Sequence, residues 1–204
     1  MIAIIDYGVG NLFSLNSSFS AIGEKSIITG KAEDIKKADK IILPGVGAFK
    51  DAMTKLENSG LIPVIKEEIT AGKPLLGICL GMQLLFDKSW EYGEHKGLGL
   101  IPGAVRPIKE VVPKDTKIPH IGWNNLEFTK SSELFKYIKN GDFVYFVHSY
   151  FADCGNENII AKTDYYAPLT AAVSNGCVFG CQFHPEKSGS VGLNILKAFC
   201  EMKG

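Results

Sequence analysis

The chain has 204 residues, 46% of them hydrophobic, and its 22 Lys plus Arg balance 22 Asp plus Glu. That size supports one substantial core and leaves no room for a second, so one domain over residues 1–204 is expected. Zero net charge without a long run of one sign argues against a nucleic-acid or anionic-membrane surface, and no apolar run approaches membrane-spanning length.

Along the chain, Met1-Ile2-Ala3-Ile4-Ile5 meets Asp6 too early for the apolar region of a secretion signal, so Ile2 to Ile5 reads as the first strand of a cytoplasmic protein. A helical pattern from Asn11 to Ile22 follows, stopped by Gly23. Ser26 to Ile28 and Lys40 to Leu43 read as strands, and Ala48 to Leu56 reads as a helix stopped at Gly60. Pro63 suits the first turn of a further helix running to Ala71. Leu75 to Ile78 is the next strand and Leu80 to Asp87 the next helix, while the segment after Phe86 carries no pattern that places it. This alternation is the signature of a parallel sheet. The second half differs: Phe143 to His148, Ile159 to Thr163, Leu169 to Val173 and Val178 to Phe183 follow in quick succession, which implies antiparallel or mixed pairing. A last helix from Val191 to Met202 presents Val191, Ile195, Leu196 and Phe199 to the sheet. The expected fold is α/β, a central mostly parallel mixed sheet flanked by helices.

Five cysteines, an odd number at scattered positions, fit reduced thiols better than a disulfide framework. Cys177 and Cys181 lack partners at metal spacing and read as strand packing. Cys79 is different. It ends an apolar run and starts a helical pattern within Gly77-Ile78-Cys79-Leu80-Gly81. Small residues two before and two after a nucleophile are what a sharp strand-to-helix turn requires, because backbone approaches too closely there for a β-carbon. Such an elbow sets the sulfur at a helix N-terminus, where free N–H groups and the helix dipole favour the thiolate. A nucleophilic thiol needs a base and an orienting group. His184-Pro185-Glu186 offers both: Pro185 holds His184 extended, and residues i and i+2 of an extended chain point to one side. Glu186 would then fix the imidazole's tautomer. For the developing oxyanion, one donor is the Leu80 N–H, and the Gly45-Val46-Gly47 peptides after the Lys40 to Leu43 strand are the candidates for the other.

Other features carry less. Gly8-Val9-Gly10 lacks the third glycine of a dinucleotide site, Phe13 standing in its place, and is read as a tight turn. His95 and His120 have no partner motif and are read as surface or structural. Asn16-Ser17-Ser18 matches a glycosylation acceptor but falls in a helix.

Taken together, Gly77-Ile78-Cys79-Leu80-Gly81-Met82-Gln83, the Pro44-Gly45-Val46-Gly47 loop and Gln182-Phe183-His184-Pro185-Glu186-Lys187-Ser188 resemble the class I, triad-type glutamine amidotransferases. More closely, Asp6-Tyr7-Gly8-Val9-Gly10-Asn11, Ile118-Pro119-His120-Ile121-Gly122-Trp123-Asn124 and Phe146-Val147-His148-Ser149-Tyr150 are similar to the glutaminase subunits of imidazole glycerol phosphate synthases. The similarity spans essentially the whole chain. It implies a flavodoxin-like sheet and a Cys79–His184–Glu186 triad that hydrolyses glutamine without cofactor or metal. It also implies glutamine-binding roles for Gly45, Gly47, Gln83, Glu91, Ser149 and Tyr150. The partner implied is a separate (β/α)8 cyclase subunit in a heterodimer, met through Asn11, Trp123, Tyr145 and Lys187. Three other readings stay open on the sequence: a paralogous glutaminase feeding another acceptor such as a surface sugar, a cysteine hydrolase on the same scaffold, and a subunit that keeps the fold without the chemistry.

Overall fold

The computed structural model describes residues 1–202. Its strands are β1 (Ile2–Ile5), β2 (Ser26–Thr29), β3 (Lys40–Leu43), β4 (Leu75–Ile78), β5 (Phe86–Ser89), β6 (His95–Lys96), β7 (Ile101–Pro107), β8 (His120–Asn125), β9 (Glu127–Phe128), β10 (Phe143–His148), β11 (Tyr150–Asp153), β12 (Ile159–Asp164), β13 (Pro168–Asn175) and β14 (Val178–Cys181). The helices are α1 (Leu12–Ala21), α2 (Ala32–Lys37), α3 (Phe49–Asn58), α4 (Ile62–Thr70), α5 (Leu80–Leu84) and α6 (Gly189–Glu201).

An eight-stranded sheet runs β2-β1-β3-β4-β14-β13-β12-β9. The first five of these strands are parallel, and β13, β12 and β9 continue the sheet antiparallel. Strands β1, β3 and β4 are buried at every position, as central parallel strands covered on both faces must be. Their side chains alternate between two cores, following the period of two. Ala3, Ile5, Ile41, Leu43 and Leu75 pack with Ile35 of α2, Met53 and Leu56 of α3 and Ile65 of α4. Ile2, Ile4, Ile42, Leu76 and Ile78 pack with Leu15 and Phe19 of α1 and Ile195, Leu196 and Phe199 of α6. The expected mixed sheet with helices on both faces is thus what the chain forms.

Two smaller sheets border the large one, the pair β10-β8 and the four strands β11-β7-β5-β6. The helix expected from Leu80 to Asp87 stops at Leu84, and Phe86–Ser89 is a strand. The cause lies farther along the chain. Leu98 N–H donates to the Leu84 carbonyl at 2.9 Å, and Leu100 and Ile101 N–H both donate to that of Leu85, at 2.8 and 3.1 Å. The carbonyls that would have carried the helix on are taken by this segment. Gly97 is what lets it come so close, because a β-carbon there would overlap the Phe86 carbonyl oxygen.

Candidate active site

Cys79 joins β4 to α5 with φ 55° and ψ −112°, a region that costs a non-glycine residue on the order of 1–3 kcal/mol. Its neighbours hold it there. A β-carbon on Gly77 would lie 2.7 Å from the Gly81 carbonyl oxygen, and one on Gly81 would collide with that of Leu43. Both glycines are therefore required by close backbone approach, as their spacing implies. Gly45 belongs to the same packing: a β-carbon on it would lie 2.6 Å from the Gly81 nitrogen. This glycine braces the elbow and does not line the cavity described below. Gly47 has φ +91° with open space around it, so glycine serves backbone conformation there. The buried Tyr7, unremarked as a candidate in the sequence, donates its hydroxyl to the Pro44 carbonyl at 2.7 Å and so pins the start of this loop. Burial and the negative charge of Cys79 raise the phenol's pKa, which keeps it a donor.

His184 follows β14 in extended conformation, φ −101° and ψ 98°. The expectation that Glu186 continues the extended run is corrected, because Pro185–Lys187 is a 3₁₀ turn. Pro185, with its fixed φ, starts that turn, and the turn brings the carboxylate back beneath the ring. The outcome for the chemistry is the same: His184 Nδ1 donates to Glu186 Oε1 at 2.8 Å, with both side chains almost wholly buried. Nε2 is left for the sulfur of Cys79. Burial works to lower the pKa of His184, but hydrogen bonds to Cys79 and Glu186 and the charges of both groups outweigh it and hold the value at about 9.

A cavity of about 540 Å³ opens over this pair. It brings together Val46, Gly47, Cys79, Leu80, Gln83, Glu91, Ser149, Tyr150 and His184 from segments far apart in sequence. Glu91, which pattern could not place, reaches the wall because one carboxylate oxygen accepts the Phe49 N–H at 2.5 Å at the start of α3. The Val147 carbonyl lies 4.0 Å from the Cys79 sulfur. Tyr92, Pro107, Lys109, Ile118, Pro119, Val147 and His148 also line the cavity, without a role there having been foreseen.

From His148, which also lines the cavity, a buried polar chain runs inward that the sequence reading missed. His148 Nδ1 donates to the Tyr150 carbonyl at 2.8 Å, so its Nε2 accepts from His120 Nδ1 at 2.9 Å. The His120 ring is stacked on Phe146 and on Tyr165. Burial lowers the pKa of His120 to about 4 and that of His148 to about 3, so both rings are neutral at physiological pH. His120 is thus structural, as expected. Gln83 Nε2 donates to the same Tyr150 carbonyl at 3.2 Å and to Gln182 Oε1 at 2.9 Å, and Gln182 Nε2 lies 3.8 Å from the Cys79 sulfur. The available signal for Gln182 was a glutamine at the end of an apolar strand, two residues before His184.

Of the four residues expected to meet a partner, Trp123 and Tyr145 lie together beside the segment that carries Lys187. Tyr145 and Trp123 are register partners across β10 and β8, their rings edge to face at 6.1 Å. Gly189, two residues beyond the exposed Lys187, lies against the Trp123 ring. Asn11 precedes α1, whose Phe13 and Ser14 share a surface cleft with Pro185 and Glu186.

A sheet with helices on both faces, a strained cysteine elbow and a buried His–Glu pair define a class. The chain belongs to the class I glutamine amidotransferases, whose family model matches residues 3–202. Within that class it is 50% identical to the imidazole glycerol phosphate synthase subunit HisH of Lactococcus lactis over 98% of each chain. The subunit of that name from Bacillus cereus is 50% identical over 98% of this chain and 93% of its own. Among solved structures, a glutamine amidotransferase superposes with TM-score 0.76 at 17% identity, covering 98% of both chains. The glutaminase domain of Trypanosoma brucei CTPS with bound acivicin superposes at 0.67 with 18% identity over 100% of this chain and 94% of that one. These two likenesses bear on the fold.

Proposed function

We propose that this chain is the glutaminase subunit of an imidazole glycerol phosphate synthase, with Cys79, His184 and Glu186 as its catalytic triad. The observation that carries the assignment of residues is the buried Glu186–His184 pair facing a cysteine held at positive φ in one cavity. Cys79 sulfur attacks the side-chain amide carbon of glutamine. The oxyanion that forms is met by the Leu80 N–H and by a peptide of the Val46–Gly47 segment. His184 Nε2 delivers its proton to the amide nitrogen, the C–N bond breaks and ammonia leaves a glutamyl thioester. Water then gives a proton to His184, attacks the thioester carbon and releases glutamate and the Cys79 thiolate. Glu186 keeps the imidazole in the tautomer and orientation that both transfers use. Gln83, Glu91, Ser149 and Tyr150 bind the α-amino and carboxylate end of the substrate.

Ammonia acts as a nucleophile only while unprotonated, so a partner must receive it directly. In this reading the partner is a (β/α)8 cyclase subunit, docked in a heterodimer on the face of Asn11, Trp123, Tyr145 and Lys187. It joins the ammonia to a ribulosyl-phosphate intermediate in histidine biosynthesis. The Gly45–Gly47 loop is the switch between resting and docked states, since turning one peptide supplies or removes an oxyanion donor, worth about 10²–10³ in rate. A cytoplasmic setting is part of the proposal, supported by five free cysteines. Among the described residues no helix is long and apolar enough to cross a membrane.

Glutamine hydrolysis by this chain, alone and with the cyclase subunit and its intermediate, tests the assignment. A large rise on adding both, abolished by Cys79→Ala, is the expected result. Unstimulated turnover that still depends on Cys79 would keep the glutaminase and transfer it to another acceptor.

A further inference from the structure

We propose that Gln182 is a positioning residue of the active site, its amide holding the sulfur of Cys79 and the side chain of Gln83 as one unit. The proposal rests on the glutaminase reading for the identity of the substrate, though not for the geometry.

Gln182 is completely buried, and its main chain is fixed between two strands. Its N–H donates to the Ala171 carbonyl at 2.8 Å, and the preceding Cys181 carbonyl accepts the Cys79 N–H at 2.8 Å. The side chain therefore emerges at the level of the elbow. A leucine or methionine would fill the same volume, so an amide in this position calls for a polar reason. Its orientation is set by its surroundings. Gln83 Nε2 uses its hydrogens on the Tyr150 carbonyl and on Gln182 Oε1. His148, itself braced by His120, donates to the same Tyr150 carbonyl and holds that acceptor in place. With Oε1 so engaged, Gln182 can present only its N–H to the sulfur, 3.8 Å away. A donor there favours the sulfur anion. Gln83, with its nitrogen turned inward, has only its carbonyl oxygen to offer the cavity, an acceptor suited to the α-ammonium group of an amino acid.

The test is the rate of Cys79 alkylation by iodoacetamide as a function of pH, read by mass spectrometry of the Cys79 peptide on the full chain. Gln182→Met should slow alkylation at neutral pH about tenfold and move the profile to higher pH, the worth of one hydrogen bond to a charged group. The KM for glutamine should rise as kcat falls. Gln83→Ala should slow alkylation in the same direction although Gln83 does not touch the sulfur, because the Gln182 amide is then free to turn its oxygen inward. The double variant should be no slower than Gln182→Met. A folded Gln182→Met with the wild-type profile overturns the proposal, as does additivity in the double variant. If Gln182→Met does not fold, Gln83→Ala decides, and a wild-type profile there overturns it. Absence of glutamine turnover in the unaltered chain would count against the glutaminase reading while leaving the alkylation result standing.

Discussion

His184 is only 2% exposed, a setting in which an imidazole ordinarily sheds its proton. Here burial is opposed and outweighed by hydrogen bonds and charge from Cys79 and Glu186, so the pKa stands at about 9 in place of 6.5. A group whose folded pKa is raised stabilises the fold fully below its unfolded pKa, and the contribution is lost as pH rises through the folded one. The urea midpoint should therefore decline between about pH 6.5 and pH 9 from this source. Glu186→Gln removes one of the two charges that hold the proton. It should flatten the decline in this window and lower kcat by about 10²–10⁴, the worth of a well-oriented acid–base residue. Denaturation curves across the pH range, beside steady-state kinetics, check both. An unchanged pH slope in the variant would show that the carboxylate does not hold the proton. In the proposed mechanism the proton matters to function, because the same imidazolium releases it to departing ammonia.

At the scale of the element, the elbow depends on glycines for two separate reasons, and their replacement should fail in two different ways. Gly81→Ala drives a β-carbon into the Leu43 carbonyl and must push α5 away from β3. Overpacking of this kind costs about 1–3 kcal/mol, so a lower urea midpoint and loss of hydrolysis are expected together. Gly47→Ala meets no atom but loses the freedom to hold φ +91°. It should cost about 1–2 kcal/mol at most and slow hydrolysis by disturbing the loop proposed to present the oxyanion donor. A larger loss of stability in Gly47→Ala than in Gly81→Ala, or wild-type turnover in Gly47→Ala, would contradict the distinction. The spacing of these glycines was legible because it follows from close backbone contact within a short segment. So were β1, β3 and β4, whose unbroken apolar runs report burial on both faces. The end of α5 and the strand β5 were not legible. Phe86-Asp87-Lys88-Ser89 has no clear alternation, and its helix is stopped by hydrogen bonds from residues 98 to 101, which no local pattern contains. The placement of Glu186 was legible in its result and not in its route, since a 3₁₀ turn and an extended chain can both return a side chain to the same ring.

Across the whole molecule, the ribbon of β8 and β10 joins the buried polar chain to an outer face. An isolated two-stranded ribbon is only marginally stable, so its inner face must be anchored. Val144, Phe146, His120 and His148 are all buried there. The opposite face carries Ile121, Trp123 and Phe143, each more than half exposed. Alternation along Phe143 to His148 made the strand legible, but the pairing of His120 with His148 required a register that links residues 28 apart. An aromatic side chain left this open yet braced by Tyr145 and seated over Gly189 is arranged as a preformed anchor, since little of its freedom remains to be lost on docking. If the proposed cyclase subunit docks here, Trp123→Ala should weaken its binding by about tenfold or more, a loss above 1 kcal/mol. The unfolding free energy of the isolated chain, from urea denaturation, should change by no more than about 0.5 kcal/mol, as for other surface substitutions. Lys187→Ala, at the exit of the His184 turn, should act differently. Binding should change little, while more glutamate forms per molecule of imidazole product, as expected if Lys187 borders the proposed ammonia path. Titration calorimetry for binding, with glutamate and product measured in the same reaction, separates the two effects. Trp123→Ala binding with wild-type affinity would move the docking face away from the β8–β10 ribbon, and an unchanged product ratio in Lys187→Ala would remove that residue from the ammonia path.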